Sequence, residues 1–97
     1  MATYVLLANY TEQGIQNIEQ SPARLEAAKQ AFAKLGVEIK AFYLTMGRFD
    51  ILAIIEAPDD ERLASAVLAL GSQGNVRTET LRAFPEGEFK RVVAALR

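Results

Sequence analysis

The segment AFYLTMGRFDILAIIE, residues Ala41–Glu56, decides the fold of this chain. It holds two apolar runs of strand length that are rich in aromatic and branched residues, which favour β-structure. Gly47 lies between the runs, and glycine readily adopts the positive φ that tight turns often need. At this turn Arg48 and Asp50 flank Phe49. We predict an antiparallel hairpin with a polar group where the sheet ends.

Around the hairpin, strand-like and helix-like segments alternate. The expected elements are a strand over 3–10, a helix from 21 to 35, the hairpin strands 37–46 and 49–57, a helix after 60, a strand over 75–84 and a helix over 86–96. Ser21 and Pro22 suit the cap and first position of a helix. Gly36 suits its end. This β-α-β-β-α-β order with a C-terminal helix predicts one α+β domain over 1–97, ferredoxin-like, with a four-stranded antiparallel sheet.

The strands are apolar on both sides. In the first strand Tyr4, Leu6 and Ala8 point one way, while Val5 and Leu7 point the other. Two helices cover only one side of such a sheet, and a bare apolar side exceeds what soluble monomers usually expose. We predict a homodimer packed sheet against sheet, a dimeric α/β barrel. The alternative is a monomer in which the C-terminal helix folds over the second side.

Composition excludes several function classes. The net charge is −1 without a basic face, which argues against nucleic-acid binding. The chain has no cysteine and no histidine, and its acidic stretch 56–61 lacks the ligand order of a calcium loop, so we expect no metal and no cofactor. No apolar run reaches the roughly 20 residues that span a bilayer. The N-terminal run is typical of a strand rather than a signal peptide, so a cytoplasmic protein is expected.

Several blocks together resemble the GYD-domain family. They are TYVLLANYT at Thr3–Thr11, AFYLTMGRFD at Ala41–Asp50, EAPDD at Glu56–Asp60 and GNVRTETLRAF at Gly74–Phe84, with the spacing of Gly14 and Ser21-Pro22. Where the motif that names the family has a tyrosine before the aspartate, this chain has Phe49, which keeps the ring and lacks the hydroxyl. The resemblance implies a ferredoxin-like, dimeric α/β-barrel fold and supplies no catalytic residue.

Three pairs of polar residues are candidates for a ligand site. They are Arg48 and Asp50 at the hairpin turn, Tyr43 and Thr45 on one side of the second strand, and Arg77 and Glu79 on the fourth strand. Each pair also has a purely structural interpretation. Asp50 would accept backbone N–H groups, the tyrosine would pack with its hydroxyl satisfied, and the charges on an edge strand would discourage edge-to-edge pairing. In the ligand-site interpretation, Tyr43 and Thr45 would line a pocket together with Tyr4 or Tyr10.

Three functions fit these features. The first is a protein that binds a small apolar or aromatic ligand as a homodimer or higher oligomer. The second is a cofactor-independent enzyme of the monooxygenase, isomerase or decarboxylase type, which would need a desolvated Asp or Glu in a closed cavity. The third is a structural subunit of a larger assembly. Analogy of fold alone supports the second and third.

Overall fold

The fold follows the order expected from the sequence. The computed structural model describes all residues, 1–97. Its elements are β1 (Ala2–Tyr10), α1 (Glu12–Gln16), α2 (Ser21–Lys34), β2 (Glu38–Leu44), β3 (Ile51–Ala57), α3 (Asp60–Ser72), β4 (Val76–Ala83) and α4 (Glu86–Ala94), with a single 3-10 turn at Ile18–Gln20. The hairpin strands are shorter than expected, because residues 45–50 belong to the connection between β2 and β3.

The four strands form one sheet in the order β2-β3-β1-β4, and every neighbouring pair is antiparallel. This topology confirms the ferredoxin-like prediction and places the polar strand β4 at an edge. The other edge strand, β2, has a bulge at Lys40, where its pairing with β3 shifts between Ile39 and Ala41. Ile39 and Phe42 are therefore opposite Ile55 and Ala53 and share their side of the sheet.

The core lies between the sheet and the helices α2 and α3. Alternate residues of β1 and β3 are buried on this side, among them Tyr4, Leu6 and Ile55. Phe32 of α2 and Leu63 of α3 pack against them. Both helices thus pack against one side of the sheet, which we call the helix side.

Local sequence signals set the helix ends, with one exception. Gly36, at φ 75°, follows the last turn of α2, as predicted. Asp59 caps α3 by accepting a hydrogen bond from the Arg62 backbone N–H at 2.8 Å. The expectation that Ser21 caps α2 is wrong. The 3-10 turn runs directly into the helix, so Ser21 already has helical dihedral angles, φ −58° and ψ −41°.

The opposite side of the sheet, which we call the open face, carries apolar side chains that no helix covers. The strand register assigns to it Val5, Leu7, Ala41, Tyr43, Leu52, Ile54 and Leu81. Tyr43 and Leu81 are 58% and 46% exposed. The C-terminal helix α4 contributes no buried residue, and Phe89 within it and Leu96 just after it are exposed.

No helix of the structure combines the length and the apolar character that crossing a bilayer requires.

Candidate functional site

A cleft opens between α2 and the helix side of the sheet. Its inner part has a volume of about 70 Å³ and is lined mainly by apolar side chains of β1, α2, β2 and β3. Its outer part has a volume of about 460 Å³, within the range of small-ligand pockets. Four residues line both parts, so the two adjoin: Tyr10, Ser21, Leu25 and Phe42.

The walls of the outer cleft come from segments that a sheet alone would not bring together. Ile15 belongs to α1, Ile18 to the 3-10 turn, and Leu44 to the end of β2. All three side chains are well exposed, between 39% and 71%. The outer cleft is therefore an apolar surface that is open to solvent and narrows inward toward the core.

Close packing of a glycine holds α1 over the cleft. Gly14 is buried, and a Cβ atom there would lie 2.0 Å from the backbone oxygen of Asn75. The same oxygen accepts a hydrogen bond from the Thr11 backbone N–H at 3.0 Å. The Thr11 hydroxyl donates to the Gly74 oxygen at 2.5 Å and accepts from the Gly14 N–H at 3.1 Å. These bonds fasten α1 to the segment that leads into β4.

Polar groups stand where the two parts of the cleft meet. The Tyr10 and Ser21 hydroxyls form a hydrogen bond of 2.8 Å. Asp50 Oδ2 accepts the Tyr10 backbone N–H at 3.0 Å, and the Asp50 backbone N–H donates to the Ala8 oxygen at 2.9 Å. Asp50 is thereby fixed to the end of β1, half-buried, with its carboxylate at the wall of the outer cleft.

The two residues of the hairpin pair separate in the structure. Arg48 forms no ion pair with Asp50. Its guanidinium lies 5.4 Å from the centre of the Phe49 ring, and the residue is exposed. Only Asp50 of this pair lines the cleft.

The other four candidates lie outside the cleft. Thr45 stabilises the hairpin connection, since its hydroxyl donates to the Phe49 oxygen at 2.5 Å. Tyr43 is opposite Leu52 on the open face, whereas Tyr4 and Tyr10 are on the helix side, so the expected grouping of these tyrosines does not form. Arg77 and Glu79 are opposite Asn9 and Leu7 and also belong to the open face.

Most residues of the cleft cannot be recognised from the sequence alone. Ile15 and Ile18 are the one sequence feature that could have indicated the cleft, because they are apolar residues in the otherwise polar segment 11–20. Leu25 and Phe42 lie within the helix and the strand expected from the sequence. Nothing in their spacing distinguishes a cleft wall from a filled core.

A second polar cluster lies at the opposite end of β1. The buried Tyr4 donates its hydroxyl to Asp60 Oδ1 at the start of α3. This hydrogen bond, followed by burial and the Asp60 charge, raises the pKa of Tyr4 above its ordinary value of 10.0. The Arg82 guanidinium lies 5.6 Å from the Tyr4 ring centre and 4.4 Å from that of Phe84. The cluster joins the sheet edge to α3, and none of its residues lines either part of the cleft.

Carboxylates are spread over the surface. No Asp or Glu is among the buried residues, so the desolvated carboxylate required by the enzyme hypothesis is not found in the single chain. No three acidic side chains come together in a way that would hold a metal ion.

Comparisons with known proteins agree with the fold. A protein of Thermus thermophilus, named glutamine synthetase and cystathionine beta-lyase binding protein, is 34% identical over 90 residues, which span 92% of this chain and 95% of that protein. The crystal structure of TTHA0845 from the same organism superimposes with a TM-score of 0.55 at 29% identity, covering 88% of this chain and 95% of the other. The family model of the GYD domain matches residues 4–93. The chain belongs to the GYD domain family.

Proposed function

We propose that the protein is a binding protein that takes up a small apolar or aromatic ligand and works as a homodimer. The observation that supports ligand binding is the cleft itself. An apolar wall with a few fixed polar groups at its mouth is the usual composition of a small-molecule site. Tyr10, Ser21 and Asp50 are the polar groups, and each is already held by a hydrogen bond.

The open face supports the homodimer. At about 25 cal/mol per Å², burying several hundred Å² of apolar surface contributes on the order of 10 kcal/mol before the costs of association. Leu7, Leu52 and Ile54 form the middle of this surface on the two central strands. A two-fold axis lets the same patch cover itself, as in most homodimers. The cleft lies on the helix side and would stay accessible in such a pair.

A cytoplasmic location of the protein stays a prediction from the sequence.

Native mass spectrometry of the gently purified protein tests ligand binding. We expect dimer masses with a small molecule attached, or saturable uptake from a library of small aromatic and aliphatic compounds. Ala28→Leu places extra side-chain volume in the inner cleft, and we expect it to weaken binding at least about tenfold, or roughly 1.4 kcal/mol.

Ala27→Leu is the matched control, because Ala27 is exposed on the same helix and lines neither part of the cleft. It should bind as the unchanged protein does. The proposal is contradicted if no compound binds, or if both variants bind with unchanged affinity.

Binding of metabolic enzymes is the second candidate function. It is favoured by the name of the Thermus thermophilus relative, which says that this relative binds glutamine synthetase and cystathionine beta-lyase. The apolar side of α4 offers a surface for such a partner, because Phe89, Val92 and Val93 are 57%, 53% and 46% exposed. An amphipathic helix of this kind commonly docks into a groove on another protein.

Biolayer interferometry with the two purified enzymes of the source organism tests this candidate. We expect saturable binding to at least one, weakened at least about tenfold by Phe89→Ser, because aromatic anchors often dominate interfaces. Leu68→Ser on α3 is the control, since Leu68 is 73% exposed but lies on another helix. An absence of binding to both enzymes, or equal binding by both variants, would count against it.

A further inference from the structure

The outer cleft has a single charged group. Of the nine residues that line it, Asp50 alone carries a charge, and the rest are apolar or hydroxyl-bearing. Asp50 Oδ2 is engaged by the Tyr10 N–H, whereas Oδ1 has no hydrogen-bond partner in the chain. No basic side chain forms an ion pair with this carboxylate. The mouth of the cleft is therefore negative and lacks an internal counter-ion.

Arg24, the one basic residue that lines the cleft, forms no ion pair with Asp50. Arg24 lines the inner part, but its guanidinium donates to the main-chain oxygens of Asn17 at 3.1 Å and Gly14 at 3.4 Å. These bonds direct it toward α1 and the 3-10 turn. An anionic ligand in the outer cleft would meet Asp50 without a free cation beside it, and like charges at short range disfavour binding.

We propose that the outer cleft binds small apolar amines in their protonated form. The alkyl chain or ring would lie against Ile15, Ile18 and Leu44, and the ammonium group would donate to Asp50 Oδ1. This inference rests on the proposed ligand-binding function and adds its chemical class. A charge-assisted hydrogen bond is roughly twice as strong as a neutral one, and the partly apolar surroundings weaken its screening.

A series of ligands that share one phenethyl group tests the charge preference on the unchanged protein. Calorimetric titration compares phenethylamine, phenethyl alcohol and 3-phenylpropionate at neutral pH. We expect the amine to bind at least about tenfold more tightly than the alcohol, equivalent to roughly 1.4 kcal/mol, and the carboxylate to bind most weakly. Methyl NMR signals of Ile15 and Ile18 should shift on binding, while that of Ile54, on the open face, should not.

Asp50→Asn tests the residue. Asparagine keeps an acceptor for the Tyr10 N–H and removes the charge, so we expect the preference for the amine over the alcohol to disappear. Glu79→Gln, an equal loss of charge on the open face, should leave the preference intact. If Asp50→Asn does not fold, the ligand series on the unchanged protein still shows whether the cleft prefers the amine over the alcohol.

The experiments distinguish failure of the charge preference, failure of the Asp50 assignment and failure of ligand binding itself. If alcohol and amine bind equally in the cleft, the charge preference is overturned and the proposed ligand-binding function stands. If the amine preference survives in Asp50→Asn, the assignment of Asp50 is overturned. If none of the three compounds binds and the wider library also fails, the amine inference and the ligand-binding function fall together.

Discussion

Gly14→Ala should lower the free energy of unfolding by about 3 kcal/mol, the upper end of ordinary overpacking effects. The reason is geometric. A Cβ atom at this position would lie 2.0 Å from the Asn75 oxygen and 2.9 Å from the Asn75 carbonyl carbon, both of them backbone atoms. Backbone cannot rotate away as a side chain can, so α1 or the segment before β4 must move. That movement also strains the hydrogen bonds of Thr11.

Urea unfolding followed by circular dichroism measures this effect, with Gly71→Ala as the matched control. Gly71 lies within α3, and a Cβ there meets nothing within 4 Å. Alanine at that site should leave stability unchanged or raise it by up to about 1 kcal/mol. Equal stability of the two variants would show that α1 does not pack against Asn75 in the way described.

Leu52→Glu should dissociate the proposed homodimer. Leu52 lies on the central strand β3, between Leu7 and Tyr43 on the open face. In a face-to-face pair its carboxylate would be buried without a counter-ion, at a cost of several kcal/mol. We expect the dissociation constant to rise on the order of 100-fold or more, corresponding to about 3 kcal/mol. The helix-side core is not touched, so the monomer should remain folded.

Sedimentation velocity at micromolar concentration measures the result. Leu68→Glu introduces the same change at a site on α3 that is 73% exposed, and it should sediment as the unchanged protein does. A single-copy particle for the unchanged chain would refute the dimer. A stable pair in Leu52→Glu would show instead that another surface joins the copies.

The order of strands and helices could be predicted from the sequence because each element carries its own signal. The isoleucine-rich run before Pro58 and the glycine at position 36 mark element boundaries by local chemistry. The two-sided apolar character of β1 and β3 was also visible, because side chains alternate between the sides of a strand.

The site was less predictable because it depends on how separate segments meet. Tyr43 and Tyr10 are both aromatic residues near strand ends, and only the register between strands puts them on opposite sides of the sheet. Ser21 looked like a helix cap because the 3-10 turn before it has no distinct sequence pattern. Its hydroxyl bonds instead to Tyr10, 11 residues away along the chain.

The bulge at Lys40 has a consequence for how copies of the chain can grow into larger assemblies. A regular outer strand offers unpaired amides to any incoming chain and so invites open-ended fibrils. Here the irregular pairing interrupts that template along one border, and the exposed Arg77 and Glu79 place charges along the other. The addition of further strands is thereby discouraged at both edges of the sheet, while the apolar open face remains uncovered in the single chain. For the proposed homodimer, both features favour a closed pair over open-ended growth.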